Sequence, residues 1–454
     1  MFPKAGVKHL SAPNSDHIPI LLDTHLEYHS GARPFRFEAM WVKDESSVNV
    51  VQDVWAIAVE GSQNFRLVKR CQKTKQDLIA WNRSVFGHTQ TRIQEIKDQI
   101  KSVQALDPTQ ANLSVKAALN LELNNWLERE ELKWKQKSKE LWLKEGDRNS
   151  KFFHLSIVVC RRRNFIAEIK LPNQQWIHSR TDIERYFTDH FVELFQSTSP
   201  DIPRVLDELF TLSILNEDNA NISRIPDYQE VKDVIWSMHP LKAPGPDGFS
   251  GIFFKHYWKI VGSQVVTVVQ SFFREGWLLS QMNHTFITLI PKKQGANNFN
   301  QFRPISLCNF YYKIISKILV NRLRPLLPKI IDPSQAAFVP GRWIGENVAL
   351  AQEIVHSFKQ SKKRKGSVGF KLDFHKAYDS LEWTFILRVL KVVGFDQKVI
   401  NLIYQCISTV SFTLLLNGSK SSSFSPSRGI RHGDPLSPYL FILCSEVLAK
   451  AHKC

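Results

Sequence analysis

The chain changes character along its length, and that change limits the folds open to it. From about residue 45 to 145 Pro and Gly are nearly absent, so the backbone reads as long helices interrupted near "FGHTQ" and "LDPTQ". Leu123, Trp126, Leu127, Trp134 and Leu141 fall at helical spacing, as one face would require. Past Pro226 short apolar runs such as "FITLIP" and "SFTLLLNG" alternate with amphipathic segments such as "ENVALAQEIVHSF", where Val348, Ala351, Val355 and Phe358 share a face. The expected class is therefore α+β, with strands that carry chemistry and helices that cover them. The first 40 residues hold a strand-like "IPILLDTHLEY" followed by "GARPFRF", whose Gly and Pro mark a break.

A 454-residue chain that is 43% hydrophobic can bury one large core or two to three smaller ones. Its net charge of +17 and pI near 9.5 favour a polyanionic partner. No uncharged apolar run approaches the ~20 residues of a spanning helix, so a membrane partner is not expected. The opening "MFPKAGVKHLSAPNSDH" lacks the apolar core of a signal peptide. Cys71, Cys160, Cys308, Cys406, Cys444 and Cys454 are scattered without a C-x-x-C. That usage suits reduced thiols in nucleus or cytoplasm and argues against secretion.

Positive charge is also concentrated. Residues 133–163 hold ten Lys or Arg (Lys133, Lys135, Lys137, Lys139, Lys144, Arg148, Lys151, Arg161, Arg162, Arg163) against three acids, with Trp134, Trp142, Phe152 and Phe153 interleaved. Cations for phosphates and rings for bases are what single-strand binding uses. A solvated helix with its rings packed inward is the alternative. The second cluster, "KQSKKRKGS" at 359–367, reads most simply as a solvated loop, with nuclear targeting or phosphate contact as other readings.

Residues 370–383, "FKLDFHKAYDSLEW", set Asp373 inside an apolar run with β-strand character. A desolvated carboxylate costs several kcal/mol unless it is paired, protonated or metal-bound. Other blocks stand in order around it: "LKAPGPDGF" at 241–249, "PKK" at 291–293, "QFRPISLCNFYYKIISKIL" at 301–319 and "RGIRHGDPLSPYLF" at 428–441. Alone, Pro-Gly-Pro-Asp-Gly signals only a turn. In that order the blocks resemble the finger and palm blocks of reverse transcriptases, specifically those of plant LINE-type (non-LTR) retrotransposons, over roughly residues 225–454. Upstream, "FRFEAMWVKD" and "WLKEGDRNSKFFH" look like the connector such elements place before the polymerase, and "SDHIPILL" looks like the end of their endonuclease.

The resemblance implies an RNA-directed DNA polymerase acting on an RNA template and DNA primer with deoxynucleoside triphosphates. Two Mg²⁺ ions would stabilise the attacking and leaving oxygens, and hard cations want carboxylate oxygens. Asp373 would be the first metal carboxylate and Phe374 would offer its backbone carbonyl; Asp379 is read instead as a helix cap. Tyr378 matches the ring that crowds the sugar 2′ carbon, with an ordinary core aromatic as the alternative. Arg303 and Lys292 or Lys293 match the finger cations that grip the triphosphate, and Arg342 a further phosphate or template contact. Gly433 would let the backbone approach the template–nucleotide pair, and Ser437 and Pro438 would open the following helix. His432 departs from the usual Gln of this family.

A second departure concerns the metal site. The paired aspartates that complete the palm of the family are not found, since no Asp-Asp pair occurs in the sequence. Synthesis by this chain alone is therefore not expected, and the thumb is also expected to be missing. Asp16 and His17 resemble the final pair of the endonuclease, where His would transfer a proton and Asp would orient it. The expected organisation is an endonuclease remnant at 1–25, a mostly helical basic connector at 26–224, and fingers with a partial palm at 225–454. A non-catalytic RNA or DNA binder and an intron maturase-like protein are the alternative readings; "SDHIPILL" speaks against the second.

Overall fold

A computed structural model describes residues 6–9, 20–23, 33–138, 150–210, 213–360 and 368–451. Mixed helix and sheet is what it shows, as the change of pattern past Pro226 predicts. A two-stranded ribbon comes first, β1 (Gly6–His9) against β2 (Ile20–Asp23). Long helices follow: α1 (Ser46–Ala56), α2 (Gln63–Trp81), α3 (Thr89–Gln104), α4 (Gln110–Ser138) and α5 (Ser150–Asn164). The breaks at "FGHTQ" and "LDPTQ" separate α2 from α3 and α3 from α4. Next come a short hairpin, β3 (Ile169–Lys170) with β4 (Trp176–Ile177), and helices α6 (Arg180–Leu194), α7 (Asn216–Ser223) and α8 (Tyr228–Ser237).

The remaining helices accompany one four-stranded sheet. They are α9 (Gly251–His256), α10 (Trp258–Glu275), α11 (Ser280–Asn283), α12 (Phe310–Leu323), α13 (Leu327–Ile330), α14 (Ile344–Gln360), α15 (Trp383–Val393), α16 (Gln397–Ser408) and α17 (Ser437–Ala451). The sheet runs β6 (Phe302–Cys308), β5 (His284–Pro291), β7 (Ser411–Leu416), β8 (Ser419–Phe424) in spatial order. β5 and β6 are antiparallel from Thr285↔Cys308 to Pro291↔Phe302, whereas β5 and β7 are parallel. Asn417 and Gly418, at φ 50° and 90°, close the β7–β8 hairpin in the left-handed turn that an Asn-Gly pair supplies at little cost.

Local chemistry sets several helix ends. The Asp227 and Asp396 carboxylates accept from the Glu230 and Val399 backbone N–H at 2.7 and 2.8 Å, capping α8 and α16. Gly276 and Gly394, at φ 65° and 111°, stop α10 and α15. Tertiary burial then holds the assembly. Phe37, Trp41, Leu67, Leu78, Phe253, Val265, Phe272, Ile314, Ile318, Val389, Ile403 and Leu440 are all buried in one continuous cluster. At about 2 kcal/mol for each large side chain, this burial outweighs any helix propensity. The cluster crosses the expected boundary at 224/225, so residues 37–86 share a core with the strands and helices after Pro226. A second cluster packs Phe187, Phe191 and Phe195 of α6 and its end against Ile287, Phe302, Phe412 and Leu414 of the sheet.

The Pro-Gly-Pro-Asp-Gly turn is a packing device. A Cβ on Gly245 would lie 2.4 Å from the Asn309 backbone, and one on Gly248 (φ 82°) 2.5 Å from Phe35. Asn309 reciprocates, accepting from the Asp247 N–H at 3.0 Å and donating to the Met282 carbonyl at 3.0 Å.

Two expectations are corrected here. The run around Asp373 is not a strand: residues 368–374 have irregular backbone and, among the described residues, make no backbone hydrogen bond. A strand needs a ladder partner, and residues 368–374 pair with none of the four strands of this sheet. Asp373 is exposed and so carries no burial cost. The face of "ENVALAQEIVHSF" is helical, within α14, but that helix buries none of its residues, and Val348, Val355 and Phe358 remain exposed.

Candidate functional site

Three segments meet along the β5–β6 hairpin. β6 puts Arg303 opposite Ile290, with the Arg303 side chain exposed. Lys292, just past β5, is tied back by its N–H to the Gln301 carbonyl and by its Nζ to the Asn300 carbonyl, both at 2.8 Å. The turn at 375–380 contributes Lys376, whose ammonium lies 4.5 Å from the Phe299 ring centroid. Burial pushes the Lys376 pKa down; Asp379 opposes this and Lys292 adds to it. Lys292, Arg303 and Lys376 thus supply cationic groups around one turn, suited to an anionic ligand.

The third segment is the loop between β8 and α17. Its His432 carbonyl accepts from the Ser306 N–H of β6 at 2.7 Å. Gly433 makes that seam possible: at φ 107° a Cβ would sit 3.1 Å from the Ser306 oxygen. The close approach Gly433 permits is therefore first to β6. The His432 ring stacks on Tyr378 with centroids 4.7 Å apart, and its Nε2 approaches the buried Asp379 carboxylate at 3.3 Å. Asp379 does not cap a helix, because α15 begins after Glu382; burial turns its carboxylate toward the loop instead. Tyr378 also packs on Phe441 of α17, and burial raises its hydroxyl pKa.

Beneath the loop lies a buried ionic network. Asp434 accepts from Arg431 at 2.8 Å, from the Tyr312 and Ser316 hydroxyls at 2.5 Å each, and from the Leu436 N–H at 3.0 Å. Arg431 also donates to Asn283 at 2.6 Å and to the Cys406 carbonyl at 3.0 Å, and lies 4.0 Å from the Tyr312 centroid. These bonds fix the loop that presents His432. Ser437 opens α17 as the sequence suggests.

The other expected site residues lie apart. Arg342 donates to the carbonyls of Ile331, Asp332 and Gln335 at 3.0, 2.5 and 2.7 Å, which caps the end of α13 and leaves little of its fork for a phosphate. Arg161, Arg162 and Arg163 are exposed in the last turn of α5. Of the interleaved rings, Phe153 is buried, Phe152 exposed, and Trp134 half-buried beside Lys137. Trp142, and Asp16 with His17, lie outside the described residues.

The donor set does not fit a two-metal site. Asp373 is a single exposed carboxylate, Phe374 turns its ring to Phe441 at 6.0 Å, and among the described residues no three His, Cys, Asp or Glu side chains gather as metal ligands. Several carboxylate oxygens are the minimum for two hard cations.

Sequence reasoning missed Lys376, Arg431 and Asp434, although "RHGD" places an arginine three residues before an acid. It also missed Asp247, which borders a cavity of about 460 Å³ with Lys75, His284 and Ser411. Burial raises the Asp247 pKa to about 7, and one of its oxygens has no hydrogen-bond partner.

Comparison with known proteins points the same way. Residues 290–453 match the family model described as reverse transcriptase (RNA-dependent DNA polymerase). The chain is 27% identical over 303 residues to the Transposon TX1 uncharacterized 149 kDa protein of Xenopus laevis, covering 66% of this chain and 23% of that one. It is 28% identical over 199 residues to the Retrovirus-related Pol polyprotein from type-1 retrotransposable element R2 of Nasonia vitripennis, covering 44% and 19%. The Pol polyprotein of element R2DM of Drosophila melanogaster is 27% identical over 209 residues, covering 46% and 19%. The chain thus spans about a fifth to a quarter of the length of these relatives. Residues 290–453, which include Lys292, Arg303 and the His432 loop, are thus similar to the reverse transcriptase family, and the chain is similar to proteins of the R2 and TX1 elements, which are of the non-LTR retrotransposon kind.

Proposed function

We propose that this chain is the fingers and part of the palm of a LINE-type RNA-directed DNA polymerase of plant origin, joined to its basic connector and to an endonuclease remnant at 1–25. The observation that carries the reading is that Lys292, Arg303 and Lys376 lie around the turn of the β5–β6 hairpin, while the same β6 bonds the loop that stacks His432 against Tyr378. Cations there would hold the triphosphate of a deoxynucleotide, Arg303 by its fork and the lysines as point charges. Tyr378 would stand beside the sugar. The exposed Arg161, Arg162 and Arg163 would hold phosphates of the RNA template or DNA primer without reading sequence. A nuclear or cytoplasmic place of action follows from such partners.

By itself residues 1–454 should bind template and nucleotide but not extend a primer, because Asp373 is a lone carboxylate where magnesium catalysis needs several. The lone Asp373 also favours a second reading, a nucleic-acid binder without synthesis.

One experiment separates these readings. Deoxynucleotide binding is measured in wild type, Arg303→Ala and Arg303→Lys, and primer extension with Mg²⁺ is measured after linking an acidic palm hairpin from a related element. Arg303→Ala should lose the 1.5 to 3 kcal/mol typical of charge-assisted bonds, roughly ten- to a hundredfold in affinity, with partial recovery in Arg303→Lys. The linked protein should extend, and Asp373→Asn in it should not. Unchanged nucleotide affinity in both Arg303 variants, with no extension by the linked protein, would leave only the binder.

A further inference from the structure

Helices α2, α11 and α12, the Pro246–Asp247 turn and the first residues of β5 and β7 line the cavity of about 460 Å³, a size usual for small-ligand sites. Its polar walls are mostly committed to the protein itself. His284 bonds the Ser411 hydroxyl at 2.7 Å and that of Thr413 at 3.3 Å, while Asn309 accepts from the Asp247 N–H and donates to the Met282 carbonyl. Asp247 and Tyr311 are different. Asp247 spends one carboxylate oxygen on the Phe249 N–H at 3.1 Å, and its Oδ2 is buried without a partner. Tyr311, 2% exposed, lines the same cavity, and its hydroxyl hydrogen-bonds to nothing among the described residues. An unpaired buried oxygen costs free energy that a donor on a ligand would recover.

Charge around the cavity narrows the choice of ligand. Lys75 of α2 lines it half-buried, and Lys420 of β8 is exposed. Burial lowers the pKa of Lys75 and of His284, and the Lys420 charge adds to both, which puts Lys420 within electrostatic reach of the cavity. Lys313 acts on Asp247 from α12. A cationic donor at Asp247 would thus be repelled by three lysines, whereas a neutral donor joined to an anion satisfies both ends. Val68, Pro246 and the Tyr311 ring add apolar faces for a planar group. A nucleotide combines a flat base, a neutral donor edge and a phosphate. Among the bases, guanine sets its N1–H and 2-amino donors beside a single carbonyl, which matches an acceptor at Asp247 and a hydroxyl at Tyr311. Uracil has one donor between two carbonyls, and adenine and cytosine set an amino group beside a ring acceptor.

We propose that this cavity is a guanine-nucleotide site, in which Asp247 accepts from the N1–H or 2-amino group, Tyr311 donates to the base carbonyl, and Lys75 with Lys420 holds the phosphate. The nucleotide is either free or an unpaired residue of a nucleic-acid strand, since both carry the same base and phosphate. The site shares no residue with Lys292, Arg303 and Lys376, so it does not rest on the polymerase reading. It also accounts for an acid at position 247, where burial raises the pKa to about 7 and an amide would fold more stably: stability is given up for binding.

The test uses the full chain and isothermal titration calorimetry. Guanosine monophosphate should bind with a dissociation constant below about 1 mM, and uridine monophosphate roughly tenfold more weakly. In Asp247→Asn the amide oxygen takes the Phe249 N–H and leaves the NH2 at the position of Oδ2, donor against donor, so the affinity for guanosine monophosphate should fall roughly tenfold. Xanthosine monophosphate, with a carbonyl in place of the 2-amino group, should bind that variant more tightly than it binds wild type. Lys75→Met should weaken guanosine monophosphate and leave guanosine, which lacks the phosphate, unchanged. Displacement of guanosine monophosphate by a uridine-tract RNA carrying one guanosine, and not by the all-uridine tract, would assign the base to a strand; displacement by neither would assign it to the free nucleotide. No binding of guanosine monophosphate at about 1 mM, equal affinity for the uridine nucleotide, an unchanged affinity in Asp247→Asn, or no gain for xanthosine monophosphate there would each overturn the proposal. Asp247→Asn removes a buried charge, so lost binding is not lost fold; far-ultraviolet circular dichroism checks this.

Discussion

Replacing Asp434 by alanine tests whether the buried network under the His432 loop is held as a unit. The substitution removes four accepted hydrogen bonds, from Arg431, Tyr312, Ser316 and the Leu436 N–H, and leaves the Arg431 guanidinium buried without its counter-charge. Arg431 keeps only neutral acceptors, among them Asn283 and the Cys406 carbonyl. Breaking one half of a buried ion pair typically costs 3–5 kcal/mol. At 4 kcal/mol the ratio of folded to unfolded protein falls by about a thousandfold. Arg431→Met should cost a similar amount, because it strands the Asp434 carboxylate. The double variant Arg431→Met/Asp434→Leu removes both charges and should lie within about 2 kcal/mol of wild type, since a buried pair replaced by apolar groups is often near neutral. Urea unfolding followed by circular dichroism and tryptophan fluorescence gives the three differences. Single variants costing under about 1 kcal/mol, or a double variant costing the sum of the singles, would refute the network as a coupled unit.

Three further outcomes are expected. Asp247, raised to about 7 by burial, holds its proton in the folded state while the unfolded chain gives it up near its ordinary value of 3.8. Stability should therefore fall as pH rises from about 4 to about 7 and stay level above; Asp247→Asn should flatten that slope and gain about 4 kcal/mol at pH 8, read by urea midpoints across pH. Gly433→Ala, at φ 107° and 3.1 Å from the Ser306 oxygen, should cost about 1–3 kcal/mol, and Gly429→Ala, at φ 89° and 2.6 Å from the Asp379 carbonyl, should cost more; equal melting temperatures for the two variants and wild type would contradict this. Replacing Arg161, Arg162 and Arg163 by alanine should flatten the dependence of single-stranded RNA affinity on salt, measured by fluorescence anisotropy, and an unchanged slope would remove α5 from the interface.

Helices α2, α3 and α4, with the breaks between them, follow from the scarcity of Pro and Gly and from apolar spacing, because both signals act within a few residues. The same is true of β5, β7 and the Asn417–Gly418 turn, whose apolar runs and left-handed residues are local properties. The order of the blocks around Lys292, Arg303 and "RGIRHGDPLSP" was equally legible as a resemblance. Asp373 was not, because its strand character is only a pattern until another backbone bonds to it, and among the described residues none does. Arg342 carries the same charge as Arg303, yet carbonyls of the preceding turn take its donors while Arg303 stays exposed. Lys376 gained its place from Phe299, 77 positions earlier in the chain, and Asp379 from His432, 53 positions later. Sequence alone thus determined the long helices, the strands β5 and β7 and which residue types the site offers. Tertiary structure decided which charges are buried, paired or free, since desolvation and pairing depend on neighbours that only folding brings within a few ångströms.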